Sequence, residues 1–211
     1  YLRQLIESRP EIAVWLTDHA DGALDSALME RFLQSEAPND EAGLKRSLRR
    51  LRQRIMAALI VRDIASGMPL AEVVETMSQL ADFTTNYALD FLHRQLAAQF
   101  GEPLDQQGQP QRMLVIGMGK LGGRELNVSS DVDYIFIYPE DGETAGAQSG
   151  GRKIEVYDFF SRLGKRLIAA LGEITGDGQV FRVDMRLRPN GDSGLLVCSI
   201  VSLENYLITQ G

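Results

Sequence analysis

One cysteine, Cys198, stands in 211 residues, which excludes an internal disulfide and agrees with a reducing, cytoplasmic setting. Between Val197 and Ile200 it reads as a small core residue. No apolar run approaches the roughly 20 residues that a membrane span needs, and no signal-peptide pattern opens the chain. Histidine occurs twice. Neither His19, expected in a turn, nor His93, expected on a long helix, has a second ligand at metal spacing, so both read as structural. An excess of basic charge is also missing. The net charge is −7, whereas an enzyme acting on a nucleic-acid polymer shows a basic stripe. The nearest approach is Lys45, Arg46, Arg49, Arg50, Arg52 and Arg54. On a helix these spread over more than one face beside the apolar stripe of Leu44, Leu48, Leu51, Ile55 and Leu59. They read as a solvated surface paired with local acids, the alternative being a dock for an acidic protein.

At 44% hydrophobic residues the chain can bury one or two ordinary cores. Its first half reads as helices near residues 1–18, 21–36, 40–66 and 69–100, with Gly67 and Pro69 marking a stop and a restart. Leu70, Val73, Val74, Met77, Leu80 and Ala81 give the last helix an apolar stripe. A polar linker over 102–111 closes a helical domain of residues 1–105. Residues 106–211 then alternate strand and helix: strand 113–116, strand 132–138, helix 153–171, strand 179–187, helix 199–209. The glycine-rich segment 141–151 reads as a connector.

The informative stretch is Gly117-Met118-Gly119-Lys120-Leu121-Gly122-Gly123 followed by Ser129-Ser130-Asp131-Val132-Asp133. A strand leads into a glycine turn whose backbone N–H groups can approach phosphate, and two carboxylates return at the head of the next strand. Spaced two apart in a strand, Asp131 and Asp133 face the same way and can reach the same cations. Divalent cations are what phosphoryl and nucleotidyl transfer require. The glycines also fit G-x-G-x-x-G, but the interval to the next strand holds only a turn or two of helix and the acids come too early for a dinucleotide-binding unit. Lys120 is followed by leucine, so a P-loop is excluded as well.

A third carboxylate comes from alternation. Phe181, Val183, Met185 and Leu187 share one face of a strand, while Arg182, Asp184, Arg186 and Arg188 share the other. If that strand lies beside 132–138, Asp184 completes a three-carboxylate site and Arg186 or Arg188 grips phosphate bidentately. The alternative is an edge strand with a solvated charged face.

The segments Val115-Ile-Gly-Met-Gly-Lys-Leu-Gly-Gly-Arg-Glu-Leu-Asn-Val-Ser-Ser-Asp-Val-Asp-Tyr-Ile-Phe136 and Phe181-Arg-Val-Asp-Met-Arg-Leu-Arg-Pro189 closely resemble the bacterial bifunctional glutamine synthetase adenylyltransferase/adenylyl-removing enzymes. The resemblance runs from about Leu44 to the end, and Asn127-Val128 looks like the N-terminal, deadenylylating copy of the two in that family. It implies an α+β fold of the polymerase-β nucleotidyltransferase type, a mixed sheet with flanking helices, behind the helical domain. It implies Mg²⁺ or Mn²⁺ held by Asp131, Asp133 and Asp184, with Gly119, Lys120, Gly122, Gly123, Ser130, Arg186 and Arg188 about the nucleotide and phosphate. The implied reaction is phosphorolysis of the AMP on a tyrosine of glutamine synthetase, giving ADP. A PII-type signal protein and phosphate, ADP or ATP are implied partners, with no nucleic acid and no membrane. Forward transfer from ATP and a PII-sensing module without turnover are the alternatives. The chain opens on Tyr1 and stops at Gly211 inside an apparent helix, so it reads as part of a longer protein.

Overall fold

The computed structural model describes residues 1–19, 21–147 and 150–210. Five helices come first: α1 (Leu2–Ser8), α2 (Pro10–His19), α3 (Ser26–Glu36), α4 (Glu41–Ser66) and α5 (Leu70–Phe100). The helix expected over 1–18 is two, because Pro10 lacks the N–H that would continue the ladder and Arg9 leaves helical geometry. His19 is the last residue of α2, its ring stacked on Trp15. Asp25 and Asp40 accept from the backbone N–H groups of Leu28 (2.9 Å) and Gly43 (2.6 Å) and so fix the starts of α3 and α4. Gly67, at φ +61°, ends α4, and α5 restarts after Pro69. On α5 the stripe is buried from Met77 onward, while Leu70 is exposed.

The strands follow: β1 (Leu114–Met118), β2 (Val132–Tyr138), β3 (Val183–Asp184) and β4 (Val197–Ser199), with the one-turn helix α6 (Gly119–Gly122) after β1, α7 (Val156–Gly172) after β2 and α8 (Ile200–Gln210) after β4. β1 pairs antiparallel with β2, so the glycine motif does not open a parallel βαβ unit. β3 and β4 both pair parallel with β2, β3 at Val132 and Asp133 and β4 at Phe136 to Tyr138. With β1 along the other edge of β2, they form one edge strand interrupted by residues 185–196.

This interruption corrects the strand expected over 179–187. Before it, Val180 and Phe181 donate to the Leu171 carbonyl at the end of α7. After Asp184 the chain turns at once: Arg186 N–H donates to the Asp184 carboxylate, Arg188 N–H to Met185 O, and Asn190 takes φ +61°. Alternation still holds for Phe181 and Met185, both buried, and fails at Leu187, which is exposed. The edge resumes at Val197, inside a short apolar run that reads as the approach to a helix.

One core runs from the helices to the inner face of the sheet. α7 carries Phe159, Phe160, Leu163, Leu167 and Leu171 inward, on the order of 10 kcal/mol of transfer free energy before entropy is charged. Gly164 lets it approach β2 and β4: a Cβ there would lie 3.0 Å from the Phe136 ring. The Tyr134 and Thr85 hydroxyls, 2.6 Å apart and buried, tie β2 to α5. The outer face, with Ile135, Ile137 and Cys198, is covered by Ile200 and Leu203 of α8.

The basic cluster on α4 is only in part the solvated, acid-paired surface that its composition suggests: Arg46 is exposed and Lys45 and Arg50 pair with acids, but Arg49 and Arg54 turn inward. Arg49 is fully buried. It donates from Nε to Gly178 O (2.8 Å), from Nη1 to Lys45 O (2.8 Å) and Ala170 O (2.9 Å), and from Nη2 to Glu173 O. It caps the carbonyl end of α7 from a helix more than a hundred residues away. Arg54 is buried over the Phe32 ring, Arg52 lies over Phe181, and Arg50 and Lys45 pair with Glu36 and Glu173. Long apolar stems allow this burial wherever unpaired carbonyls receive the heads. The segment 102–111 is likewise packed and not a free linker: Pro103 bridges Thr144, Leu104 bridges Pro110, and Gln111 is buried. His93 is buried, with Nε2 2.8 Å from Glu102 Oε2 and its ring edge-on to Phe159. Within the connector 141–151, Tyr138 donates to Asp141 at its start; Gln148 and Ser149 fall outside the described residues.

Candidate active site

β1 and β2 end their ladder at the pair Met118–Asp133. The chain turns back immediately into α6, with Gly119 at φ +55°. A Cβ on Gly119 would stand 2.8 Å from Asp133 Oδ2. The glycine is therefore required by the carboxylate beside it, as well as by its left-handed backbone. Gly122 has a different reason: its Cβ would meet Gly117 O at 2.7 Å, so it permits the close return of the turn. The loop before β2 is organised by Asn127, whose Oδ1 accepts from Ser130 Oγ at 2.8 Å; Lys120 Nζ lies 3.4 Å from the same hydroxyl.

Asp133 and Asp184 are directly opposite each other in the parallel β2–β3 pair. Register partners point to one face, and Asp131, two residues before Asp133, joins them. The three carboxylates border an open cavity of about 430 Å³ with Gly119, Lys120, Ser130, Arg182 and Arg186. Burial raises the Asp133 pKa above the usual carboxylate value, and the Asp184 and Asp131 charges raise it further. Among the described residues none hydrogen-bonds the Asp133 carboxylate. The other two are paired. Arg182 Nε donates to Asp131 Oδ1 at 2.6 Å. Arg186 Nε donates to both Asp184 oxygens at 3.0 and 2.8 Å, and this bonding, with the Arg186 backbone N–H, holds the Asp184 pKa below its usual value.

In this arrangement no group of three or more His, Cys, Asp or Glu side chains among the described residues is set to hold a metal ion, and Asp131 and Asp184 are paired with Arg182 and Arg186. The donor chemistry nevertheless fits a hard divalent cation: carboxylate oxygens only, gathered at one mouth, one of them unpaired and raised in pKa by its neighbours. The two guanidinium groups that pair with Asp131 and Asp184 are themselves exposed.

Of the residues expected at the site, Asp131, Asp133, Asp184, Gly119, Lys120, Ser130 and Arg186 border this cavity. Gly122, Gly123 and Arg188 do not. Arg188 turns away, donating to Met185 O at 2.7 Å and pairing with Asp192. Arg182, Asn127 and Ser129 border it without having been singled out. Arg182 had a legible signal, since it shares the polar face with Asp184 two residues on. Asn127 had only its position in a polar turn.

The chain matches, over residues 1–211, the family described as glutamate-ammonia ligase adenylyltransferase. It is 52% identical over 211 residues to the bifunctional glutamine synthetase adenylyltransferase/adenylyl-removing enzyme of Aromatoleum aromaticum, covering all of this chain and 22% of that protein. Identity is 51% over 212 residues to the protein of the same name from Chromobacterium violaceum and 50% over 216 residues to that of Burkholderia pseudomallei, in each case covering 100% of this chain and 23% of the relative. The chain thus spans about a fifth of the length of these curated relatives, and the match lies in their N-terminal region. With a mixed sheet, flanking helices and this carboxylate mouth, the chain belongs to the glutamate-ammonia ligase adenylyltransferase family.

Proposed function

We propose that this chain carries the adenylyl-removing step: transfer of the adenylyl group from a tyrosine of glutamine synthetase to inorganic phosphate, releasing ADP. The observation that supports it most is the Asp133–Asp184 register pair, which with Asp131 gathers three carboxylates beside Gly119 and Lys120. The names of the relatives, adenylyltransferase and adenylyl-removing enzyme, suggest the substrate class. In the reaction an oxygen of phosphate attacks the phosphorus of the tyrosine-linked AMP. The new P–O–P bond forms as the P–O bond to tyrosine breaks, and the electron pair leaves on the phenolate, which takes a proton from solvent. Phosphate is already anionic near neutrality, so no strong general base is required; holding the accumulated charge dominates. Asp131, Asp133 and Asp184 would hold Mg²⁺ or Mn²⁺, which neutralises the nonbridging oxygens. The Lys120 ammonium stands at the rim to share that task, Gly119 leaves backbone room, and Arg186 offers a fork to a phosphoryl group.

The same reading takes adenylylated glutamine synthetase and a PII-type signal protein as cytoplasmic partners and excludes a nucleic-acid substrate. No helix among the described residues is long and apolar enough to cross a membrane. The test is incubation with adenylylated glutamine synthetase, Mg²⁺ and phosphate, followed by identification of the nucleotide released. Phosphate-dependent ADP is the expected product. Label passing from ATP to glutamine synthetase would instead assign the forward reaction, and metal binding without any turnover a sensing module.

A further inference from the structure

We infer that Arg182 and Arg186 are exchangeable counter-ions: each neutralises a site carboxylate while no cation is bound, and each is released to the incoming phosphoryl group when a divalent cation takes that carboxylate. The inference rests on the metal-site reading above and adds to it a coupling between cation and anion.

The two pairs differ in kind from the other arginine contacts near the site. Arg52 is held against Val128 O and the Phe181 ring, and Arg188 is 12% exposed on Met185 O. Arg182 and Arg186 are 63% and 73% exposed, each reaching inward to a less exposed carboxylate. Exposed ion pairs of this type are weak and readily exchanged. Arg182 also has room to move. It borders three cavities, of about 430, 490 and 230 Å³, so leaving Asp131 carries its head into open space. The Asp133 carboxylate, without a hydrogen bond among the described residues, is the natural first foothold for a cation, and Asp131 and Asp184 can then turn toward it. Two guanidinium forks would thereby be freed at the same mouth, and a planar fork suits phosphate bidentately. Cation binding then prepares the anion site, and by linkage the anion strengthens cation binding by the same factor.

The test is calorimetric titration of Mn²⁺ and of inorganic phosphate, each alone and with the other saturating, in the parent protein, Arg182→Gln, Arg186→Gln and the double variant. Lys120→Gln, which removes an equal charge from the cavity rim without breaking a carboxylate pair, controls for general electrostatics. In the parent, phosphate should tighten Mn²⁺ at least fivefold and Mn²⁺ should tighten phosphate equally. In each single arginine variant Mn²⁺ alone should bind more tightly than in the parent, by a larger factor than in Lys120→Gln, and in the double variant the mutual tightening should vanish. Equal gains in Lys120→Gln and the arginine variants, or coupling that persists without both arginines, overturns the inference and leaves the metal site standing. Failure of the parent to bind Mn²⁺ overturns both.

Discussion

Replacement of Arg49 by methionine tests how α4 holds the end of α7 and the turn that leads to β3. Methionine keeps the apolar stem and deletes the guanidinium. Four carbonyl oxygens lose a donor. Lys45 O lies within α4 and keeps its helical partner. Gly178 O likewise keeps the Thr175 N–H and hydroxyl, so the loss falls on Ala170 and Glu173 at the end of α7. Each acceptor left unmet costs about 1–3 kcal/mol before water recovers part of it. Against this, burial disfavours the charged head and pulls the Arg49 pKa down, so removing it returns part of the loss. A net destabilisation of about 3 kcal/mol follows, and in a chain of this size that lowers Tm by roughly 6–12 °C. Thermal unfolding followed by circular dichroism reads it directly. Arg49→Lys should recover little, because a point ammonium cannot serve three diverging acceptors. Turnover should fall as well, because the turn at 173–179 delivers the chain to β3 and Asp184. A methionine variant melting within about 2 °C of the parent would refute the clamp.

Three further outcomes are expected. Asp133→Asn should lower turnover by roughly a hundredfold or more without lowering Tm, since its ionised form is already disfavoured by burial and by Asp184 and Asp131; a clear loss of Tm would show a packing role instead. Gly119→Ala should displace the Asp133 carboxylate and weaken Mn²⁺ binding while the far-ultraviolet spectrum stays intact, because its Cβ would lie 2.8 Å from Oδ2; unchanged Mn²⁺ affinity would count against that contact. For His93, burial lowers the pKa although Glu102 opposes it. As pH falls below about 6.5 the unfolded chain binds the proton first. The fold should therefore lose stability on the way down to the depressed native value, and His93→Gln should flatten that part of the Tm–pH curve; parallel curves would contradict the burial argument.

The carboxylates were legible because their signal is local. Asp-x-Asp at a strand head and Asp184 within an alternating stretch specify a common face without reference to the rest of the molecule. The edge strand was not legible at its true length. Whether residues 185–187 continue a ladder depends on Asp184 capturing the Arg186 N–H, and the resumption at Val197 depends on finding Phe136 thirteen residues later. Arg49 shows the same limit from the other side. Its composition class argues for solvent, and only the orphaned carbonyls of α7, contributed by residues far along the chain, make burial favourable. Arg188 was expected at phosphate from its place on the polar face, but the turn after Asp184 ended the alternation before reaching it.

The interruption between β3 and β4 also bears on edge-to-edge association of sheets. A sheet edge is a template for any extended chain that meets it, and long regular edges invite accretion. Beyond β2 this sheet offers segments of only two and three residues, separated by an excursion that carries Pro189, a left-handed Asn190 and two arginines. An incoming strand would lose its ladder almost as soon as it formed. The break that sets Asp184 at the mouth therefore also leaves this edge a poor template for strand addition.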